Sequence, residues 1–586
     1  MKTHPDAHRT ARLLLVTVIL LGGAWLRFSH LDWDSLLQLH PDERAILFVA
    51  ETIATPADPL DVLRPRLSPL NPLRDEQGAP RLYPYGHLPL YAHAAAGWML
   101  GGEGEVAFNR LTLTGRALSA LVSTLTLAAM ALLARRLFGG AAELVAPALG
   151  AVAVLSLQQA HFGVVDTWLT LFSTLAVWLL ARYADTGQPR DSLLAGVCIG
   201  LAVGSKASGA LLIAPLLAAY FNHRRGRDLA LSLAGAGLAF ALTNPYALLD
   251  PAPFVQAVGT QAAMASGALD WPFTRQYIGT LPMIYHVEQQ ARWALGLPLT
   301  LAAYGGLVWA SIRAVQTRRR ALIVALVWAW AMLLVVGTQA VKFPRYMLPV
   351  LPTLIVLGGG LLAAPGRAWL RAALTALVLV PTALYALAFV RMYAQPHPWL
   401  AASRWTYANL QPGTVLIAEA HDDVLPLDLV GADGVWLRAR LYDVRRVDPF
   451  AEPDDEAKLD ALLADLAAAD AIILASNRAY STVARLDTRY PLTAEVYHAL
   501  FDGELGYTLE TTFERYPSLF GVTLYDDPYR RAGLPFPAEP PPPALNLGFA
   551  DESLTVYDHP RVLVFRNDAR LTAEEMRAAV LGGASR

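Results

Sequence analysis

The sequence His40-Pro41-Asp42-Glu43-Arg44 places four ionisable side chains within five positions of a chain that is 55% hydrophobic. Carboxylates of this kind can accept protons as general bases, and cations can stabilise negative charge that develops during a reaction. Because ionisable groups near a bilayer are energetically costly, they are functional candidates by default. What this pentapeptide does depends on where the surrounding elements place it.

The composition indicates a membrane module followed by a globular part. Only 16% of the 586 residues are charged, whereas a soluble domain carries about 25%. The deficit lies before about Val390, where apolar runs follow one another. The net charge of −2 gives no indication of a nucleic-acid partner. The single cysteine, Cys198, excludes an intramolecular disulfide and fits a small buried residue.

Eleven apolar runs approach the ~20 residues that a helix needs to cross a bilayer core. They lie at about 12–29, 116–138, 141–160, 164–183, 192–204, 207–221, 228–248, 294–315, 320–339, 346–363 and 368–390. Basic residues concentrate in the cytoplasmic loops of membrane proteins. The basic clusters, including His223–Arg227, all share the side of the N-terminus only if the shorter run Leu88–Leu100 does not cross. We therefore expect eleven spans and a juxtamembrane helix over Leu88–Leu100.

This topology predicts a multi-pass protein of the cell membrane with a cytoplasmic N-terminus. Residues 1–394 form the predicted membrane module, and residues 30–115 are its first external loop with juxtamembrane helices. Helix-like and strand-like segments alternate afterwards, as in "WLAASRWTYANL" followed by "TVLIAEA". We predict an extracytoplasmic α/β domain over residues 395–570 and a polar helix or tail over 571–586.

Ionisable residues gather at the outer face of this predicted bundle. They are His40, Asp42, Glu43, Arg44, Arg116, His161, Asp166, Lys206, His286, Glu288, Lys342 and Arg345. Several have an ordinary structural interpretation as well. Asp42 and Asp166 fit acids in a first helical turn, which the helix dipole favours. Lys206 fits a lysine that reaches up to the membrane surface, and Arg345 an anchor at the interface.

The sequence gives little support for a metal site or for chemistry on a nucleotide. His286 and Glu288 are spaced as strand neighbours, and His40 and His161 are the other weak metal candidates. A divalent metal stays open as a cofactor, and no cofactor is certain. The sequence has no Walker A motif, no GxGxxG after a strand, no HExxH and no CxxC. These absences argue against ATP, nucleotide-sugar and zinc-protease chemistry, and they fit an active site outside the cytoplasm.

Seven segments within residues 10–390 follow one another in the order of a known family: "HPDERAILFVAETI", "GHLPLYAHAAAGWMLGG", "GRALSALVSTLTLAAMALLARRLFGG", "HFGVVDTWLTLFSTLAVWLLARY", "GLAVGSKASGALLIAPLLAAY", "TRQYIGTLPMIYHVEQQARWALGLPL" and "KFPRYMLPVLP". In these segments the chain resembles the GT-C superfamily of membrane glycosyltransferases. The chain is most similar to protein O-mannosyltransferases and to bacterial transferases of aminoarabinose. The latter carry Lys-Pro-Pro where this chain has Gly86-His87-Leu88-Pro89, so the protein-mannosyltransferase branch is nearer.

The resemblance implies a GT-C fold and the transfer of one sugar from a polyprenyl-phosphate carrier. The sugar would be mannose or another hexose, and the acceptor a hydroxyl of a protein, lipid or glycan outside the cytoplasm. The resemblance carries the acid that acts at the acceptor hydroxyl onto Asp42 and matches a second acid to Asp166. Glu43 is a further catalytic candidate beside them. We expect the anomeric carbon to be inverted, because the hydroxyl attacks opposite the phosphate.

A leaving phosphate needs positive charge that is already in place when the glycosidic bond breaks. Lys206 and Arg345 lie in separate external turns between apolar runs. We expect these two cations to hold the donor phosphate. Arg116 and Lys342 are further candidates for the same role.

Two other functions compete with glycosyl transfer. A transporter or flippase for a lipid-linked or small polar substrate is the alternative, because the break "GSKASG" between short apolar runs is typical of a discontinuous transport helix. Against it, the sequence shows no two-fold repeat, and the charges gather at one face. A non-catalytic scaffold that presents the external domain would leave the outer acids and bases unexplained.

Overall fold

The computed structural model describes residues 5–101, 104–221, 225–431, 434–537 and 539–583. The chain divides into two units. The first unit comprises Met1–Asp32, His40–Leu269 and Thr280–Val390, and the second comprises Trp33–Leu39, Asp270–Gly279 and Arg391–Arg586. Part of the basic cluster at 223–227 lies outside the described residues, namely His223 and Arg224.

The first unit is built from α-helices. They are α1 (Pro5–Phe28), α2 (Pro41–Thr52), α3 (His87–Leu100), α4 (Gly104–Phe138), α5 (Ala142–Ala151), α6 (Val154–Ala160), α7 (Asp166–Thr186), α8 (Pro189–Val203), α9 (Ile213–Tyr220), α10 (Gly226–Thr243), α11 (Pro245–Leu249), α12 (Pro251–Ser266), α13 (Ile284–Gln289), α14 (Leu297–Thr317), α15 (Arg320–Val336), α16 (Leu351–Ala363) and α17 (Ala368–Val390). Short 3₁₀ helices occupy Pro59–Leu63, Ala207–Leu212 and Pro344–Val350, and a π-helical turn occupies Gln290–Ala294.

A helix or a pair of consecutive helices forms over each of the eleven apolar runs. In the described part of the chain, four helices are long and apolar enough to cross a membrane. They are Thr10–Phe28, Ala107–Phe138, Pro344–Ala363 and Ala368–Asn409. The pair α5 and α6, bent by 59°, makes a fifth if it is counted as one span. The bundle of apolar helices is therefore observed, whereas the number of eleven spans stays a prediction.

The bend between α5 and α6 is held by a buried arginine. The Arg27 guanidinium donates to the carbonyl oxygens of Gly150 and Ala151, both at 3.1 Å, at the end of α5. It also donates to the Ser123 hydroxyl at 2.8 Å. The last carbonyls of a helix have no partner within the helix, and leaving them unpaired in an apolar interior is costly. Arg27 thus supplies the donors that allow the chain to bend inside the bundle.

The second unit is an α/β structure, as the alternation of segments predicts. Its helices are α18 (Pro398–Asn409), α19 (Glu456–Ala468), α20 (Arg478–Val483), α21 (Pro491–Phe501), α22 (Tyr529–Ala532), α23 (Glu552–Thr555) and α24 (Ala573–Gly583). Its strands are β1 (Val415–Glu419), β2 (Leu429–Val430), β3 (Trp436–Leu437), β4 (Asp443–Val447), β5 (Ala471–Leu474), β6 (Tyr507–Phe513), β7 (Ser518–Leu519), β8 (Val522–Tyr525), β9 (Ala544–Asn546) and β10 (Val562–Asn567).

The central sheet of this unit has the order β4-β1-β5-β10-β6. Strand β1 pairs in parallel with β4 and β5, whereas β10 runs antiparallel to β5 and β6. The inner parallel strands β1 and β5 are mostly apolar and buried, which is expected when helices cover a sheet, whereas the edge strand β4 is polar and partly exposed.

Two features of the second unit differ from the sequence-based boundaries. The segment 571–586, expected as a polar helix or tail, contains α24, and the side chains Met576 and Val580 of this helix are buried in the core of the unit. The unit also includes the segments Trp33–Leu39 and Asp270–Gly279. Within it, Arg275 donates to the carbonyl oxygen of Phe450 at 3.0 Å. Such contacts join residues that are far apart in sequence, so no local pattern predicts them.

Candidate active site

The pentapeptide at residues 40–44 forms the start of helix α2. His40 is the N-cap, and its ring Nδ1 accepts a hydrogen bond from the backbone N–H of Glu43 at 3.2 Å. Pro41 follows at the first helical position, where its missing N–H costs nothing. Asp42 and Glu43 lie in the first turn, which favours acids. Because successive residues of a helix point about 100° apart, these two carboxylates face different surroundings.

Asp42 faces a cluster of cations and tyrosines. Its Oδ2 lies 3.0 Å from Nη2 of Arg345, the second residue of the 3₁₀ helix Pro344–Val350. Tyr85, just before α3, donates a side-chain hydrogen bond to the same carboxylate. The Asp42 side chain keeps 29% of its surface exposed. A carboxylate with this exposure can be reached by a substrate.

Asp166 and Lys206 form a second ion pair in the same cluster. Asp166 is the first residue of α7, and its Oδ1 lies 2.8 Å from the Lys206 ammonium. The Lys206 Nζ also lies 5.1 Å from the ring centre of Tyr346 and 5.9 Å from that of Tyr85. The Arg345 guanidinium lies 5.9 Å from the same Tyr346 ring. The two tyrosines therefore join both ion pairs into one site.

Backbone pairing brings these loops together. The N–H of Gly86 donates to the carbonyl oxygen of Ser205 at 3.0 Å, and the N–H of Leu88 donates to that of Gly204 at 3.2 Å. A Cβ on Gly86 would lie only 2.0 Å from the carbonyl oxygen of Gly204. Glycine is therefore needed at this position, and the close approach sets Tyr85 beside Lys206.

The electrostatics of the cluster keep Asp42 ionised. Burial raises the pKa of the Asp42 carboxyl, but the positive charge of Arg345 opposes this effect. His40, Lys206 and the Tyr85 hydrogen bond act in the same direction as Arg345, and the pKa lies below its ordinary value. For Tyr85, burial and the charge of Asp42 raise the pKa of the phenol, so it stays a donor. Asp42 is thus a carboxylate at neutral pH.

Glu43 and Arg116 are placed differently from the expectation. Both side chains have no exposed surface, and Oε2 of Glu43 lies 2.6 Å from Nη2 of Arg116. Oε1 of Glu43 accepts from Nε of Arg116 at 2.8 Å and from the N–H of Gly163 at 2.7 Å. Arg116 also donates to the carbonyl oxygen of Leu31 at 2.7 Å. This pair ties α2 to α4, and neither group is open to a substrate.

The other cation expected to hold phosphate, Lys342, is also buried. Only 3% of its surface is exposed, and its ammonium donates to the carbonyl oxygen of Ala340 at 2.8 Å. Burial lowers the pKa of Lys342. Lys342 precedes the 3₁₀ helix Pro344–Val350, and the contact with Asp42 is made by Arg345 within that helix.

The four metal candidates do not converge. The His40 ring caps α2, and each ring nitrogen of His161 lies 2.8 Å from a backbone carbonyl oxygen. His286 is buried, whereas Glu288 is half exposed and pairs with Arg292 at 2.8 Å. Among the residues that the structure describes, no group of three or more His, Cys, Asp or Glu side chains is placed to hold a metal ion.

Sequence reasoning missed Tyr85 and treated Tyr346 as an aromatic residue of the membrane interface. The only signal for Tyr85 was its place in "LYPYGHLP", directly before a segment that resembles the family. The contact with Asp42 depends on the pairing of residues 86–88 with 204–205, which the sequence does not reveal.

Comparison with known proteins gives a family match over part of the chain and a similar fold. The family model described as dolichyl-phosphate-mannose-protein mannosyltransferase matches residues 95–248. The Archaeoglobus fulgidus oligosaccharyltransferase tethered with an acceptor peptide is similar in fold, with a TM-score of 0.52 and 15% identity over 87% of this chain and 74% of that one. Its apo form gives a TM-score of 0.50 and 14% identity over 83% and 72%.

A third solved structure is less similar. ArnT from Cupriavidus metallidurans bound to undecaprenyl phosphate has a TM-score of 0.44 and 15% identity, covering 79% of this chain and 92% of that one. No curated protein matches the chain.

The chain is therefore similar in fold to the Archaeoglobus fulgidus oligosaccharyltransferase, and the family model supports the resemblance to protein mannosyltransferases over residues 95–248.

Proposed function

We propose that the protein is an inverting glycosyltransferase that uses a polyprenyl-phosphate-linked sugar. It would move a single mannose or other hexose to an acceptor hydroxyl on the outer side of the cell membrane, with its N-terminus in the cytoplasm. The family match over residues 95–248 and the fold support this class. The main support for this reaction is the cluster in which Asp42 pairs with Arg345 and Asp166 pairs with Lys206.

Asp42 is proposed as the general base. Its carboxylate accepts the proton of the acceptor hydroxyl, whose oxygen attacks the anomeric carbon while the bond from that carbon to the phosphate oxygen breaks. The polyprenyl phosphate leaves with the bonding electrons, and the sugar is inverted because attack comes from the opposite side. General-base assistance of this kind contributes typically about 10²–10⁴-fold to the rate. The low pKa of Asp42 supports the ionised form that this step needs.

Arg345 and Lys206 are proposed to receive the donor phosphate. Both cations are paired with carboxylates in this structure, Arg345 with Asp42 and Lys206 with Asp166. A phosphodiester brings one further negative charge, which competes with those carboxylates for the cations. When Arg345 turns to the phosphate, its positive charge is shared between the phosphate and Asp42. The pKa of Asp42 then rises, so Asp42 becomes a stronger base. Donor binding would thus prepare the base for the acceptor.

Asp166 is proposed to position Lys206. The 2.8 Å contact holds the ammonium between Tyr85 and Tyr346, near the carboxylate of Asp42. The break between α8 and α9, which suggested a transport helix, has the local role of presenting Lys206, the N-cap of the 3₁₀ helix Ala207–Leu212. The acceptor is proposed to be a protein, a lipid or a glycan. A protein is favoured because a structure of this fold holds an acceptor peptide.

The test is a transfer assay with purified protein, a radiolabelled polyprenyl-phosphate hexose and candidate acceptors. Asp42→Asn should lose about 10²–10⁴-fold in turnover and still bind donor. Glu51→Gln is the matched control, because Glu51 is an exposed acid on the same helix. Near-normal turnover in Asp42→Asn, or a product of retained configuration, would refute the assignment. Movement of intact sugar lipid across vesicles without transfer would instead support the transporter.

A further inference from the structure

An open groove of about 650 Å³ lies between helices α9 and α15, away from the site described above. The residues that line it are Leu217, Ala218, Phe221, Arg318, Arg320 and Ile323. Four of them are apolar or small and two are arginines. The predicted topology puts this end of both helices on the cytoplasmic side of the membrane.

One wall of the groove is apolar and exposed. Leu217 is 54% exposed and Phe221 75% exposed. They are four residues apart, so they lie on the same face of α9 and its C-terminal continuation. Ile323 lines the opposite side from α15. An apolar wall of this kind suits a hydrocarbon chain.

The other end of the groove carries two cations. Arg318 and Arg320 are both exposed, and within the described ranges neither guanidinium has a hydrogen bond or an acidic partner. Arg319, between them, donates instead to the carbonyl oxygens of Arg136 and Leu137 at the end of α4. The middle arginine is therefore structural, while its two neighbours are available to a ligand.

The two arginines occupy backbone positions where arginine does not stabilise the folded protein. Arg318 has a φ of 51° at the C-cap of α14, a left-handed conformation in which glycine is preferred. Arg320 is the first residue of α15, at the positive end of the helix dipole. The acid nearest this end, Asp185 of α7, accepts from the N–H of Ala321 at 3.3 Å and pairs with Arg136 rather than with Arg320. The preference for basic residues in cytoplasmic loops accounts for the positive charge of both residues. It does not account for these two positions, whereas a bound anion would.

The helices that form the groove are short, and this brings lipid headgroups to the level of the two arginines. Arg320–Val336 and Ala207–Tyr220 are apolar but have only 10–17 residues, shorter than the ~20 needed to cross the hydrocarbon core. A bilayer thins locally around such short segments. Phosphates of the inner leaflet therefore come close to the ends of these helices.

We propose that the groove binds an anionic phospholipid of the cytoplasmic leaflet. The phosphate lies between Arg318 and Arg320, and an acyl chain lies along Leu217, Phe221 and Ile323. Basic pockets between membrane helices are suited to such headgroups. The site shares no residue with the catalytic cluster, so it is independent of the proposed reaction.

The test is thermal unfolding of the full-length protein in nanodiscs of phosphatidylcholine with and without phosphatidylglycerol. The unfolding midpoint of the wild type should rise with phosphatidylglycerol. Arg320→Gln should lose most of that rise, with about fivefold weaker lipid binding in native mass spectrometry. Arg318→Gly should unfold at or above the wild-type midpoint without anionic lipid, because glycine relieves the left-handed backbone. It should nevertheless lose the response to phosphatidylglycerol.

Arg367→Gln is the matched control, because Arg367 is exposed on the same predicted side but does not line the groove. It should keep the full response. An equal response of the wild type to both lipids, or an unchanged response in both groove variants, would overturn the proposal. A response to soluble glycerol phosphate equal to that of the lipid would also overturn it, since the site would then bind a free anion.

Discussion

Glu43→Gln is expected to destabilise the protein strongly, although Glu43 is the direct neighbour of the proposed base. Glutamine has almost the same shape and can still accept from the N–H of Gly163. It removes the negative charge that lies 2.6 Å from the Arg116 guanidinium. Because neither side chain has any exposed surface, water cannot replace that charge.

The magnitude follows from the burial of the pair. Breaking a buried ion pair by removing one partner costs roughly 3–5 kcal/mol, because the remaining charge stays buried without compensation. That is a large share of the roughly 5–15 kcal/mol by which folded proteins are stable. Asp42→Asn changes a side chain that is 29% exposed and in contact with solvent. Its stability cost should stay below about 1 kcal/mol.

The assay is fluorescence-monitored thermal unfolding of detergent-purified protein, with Asp42→Asn as the matched neighbour. Glu43→Gln should lower the midpoint clearly, and Asp42→Asn should leave it near the wild-type value. Adding Arg116→Met to Glu43→Gln should recover part of the loss, because the uncompensated charge is then gone. A Glu43→Gln variant as stable as the wild type would refute the structural role of this pair. Equal destabilisation by Asp42→Asn would refute the distinction between the two acids.

Three further outcomes are expected. Tyr85→Phe removes a hydrogen bond that lowers the pKa of Asp42, so the acidic limb of the kcat/KM profile should move to higher pH; an unmoved limb would contradict this contact. Arg345→Ala should lower turnover at saturating donor by about 30- to 1,000-fold and Arg345→Lys by less; wild-type turnover in Arg345→Ala would remove it from the phosphate site. Burial raises the pKa of Glu419 to about 8, against about 4.3 in an unfolded chain, so the wild type should lose stability as pH rises between these values. Glu419→Gln should remove that part of the pH dependence of the unfolding midpoint, and an unchanged pH dependence would contradict the buried carboxyl.

The sequence by itself determined the helices and the general character of both parts of the chain. Each apolar run carries its own hydropathy, and His40-Pro41 followed by two acids is a local signal for the start of a helix. Segments with helical or strand periodicity after about residue 395 likewise predict an α/β unit. These properties depend on neighbouring residues, so they can be read along the chain.

Only the tertiary structure decided which of the ionisable residues form the site. Asp42 and Glu43 are adjacent acids in one helical turn, yet one reaches Arg345 and the other is buried against Arg116, which is 73 residues away. The place of Tyr85 depends on a pairing of backbone segments more than 100 residues apart. No local period encodes such contacts, because they arise from the way helices and loops pack. For that reason the sequence could propose the set of charges but could not sort catalytic candidates from structural ones.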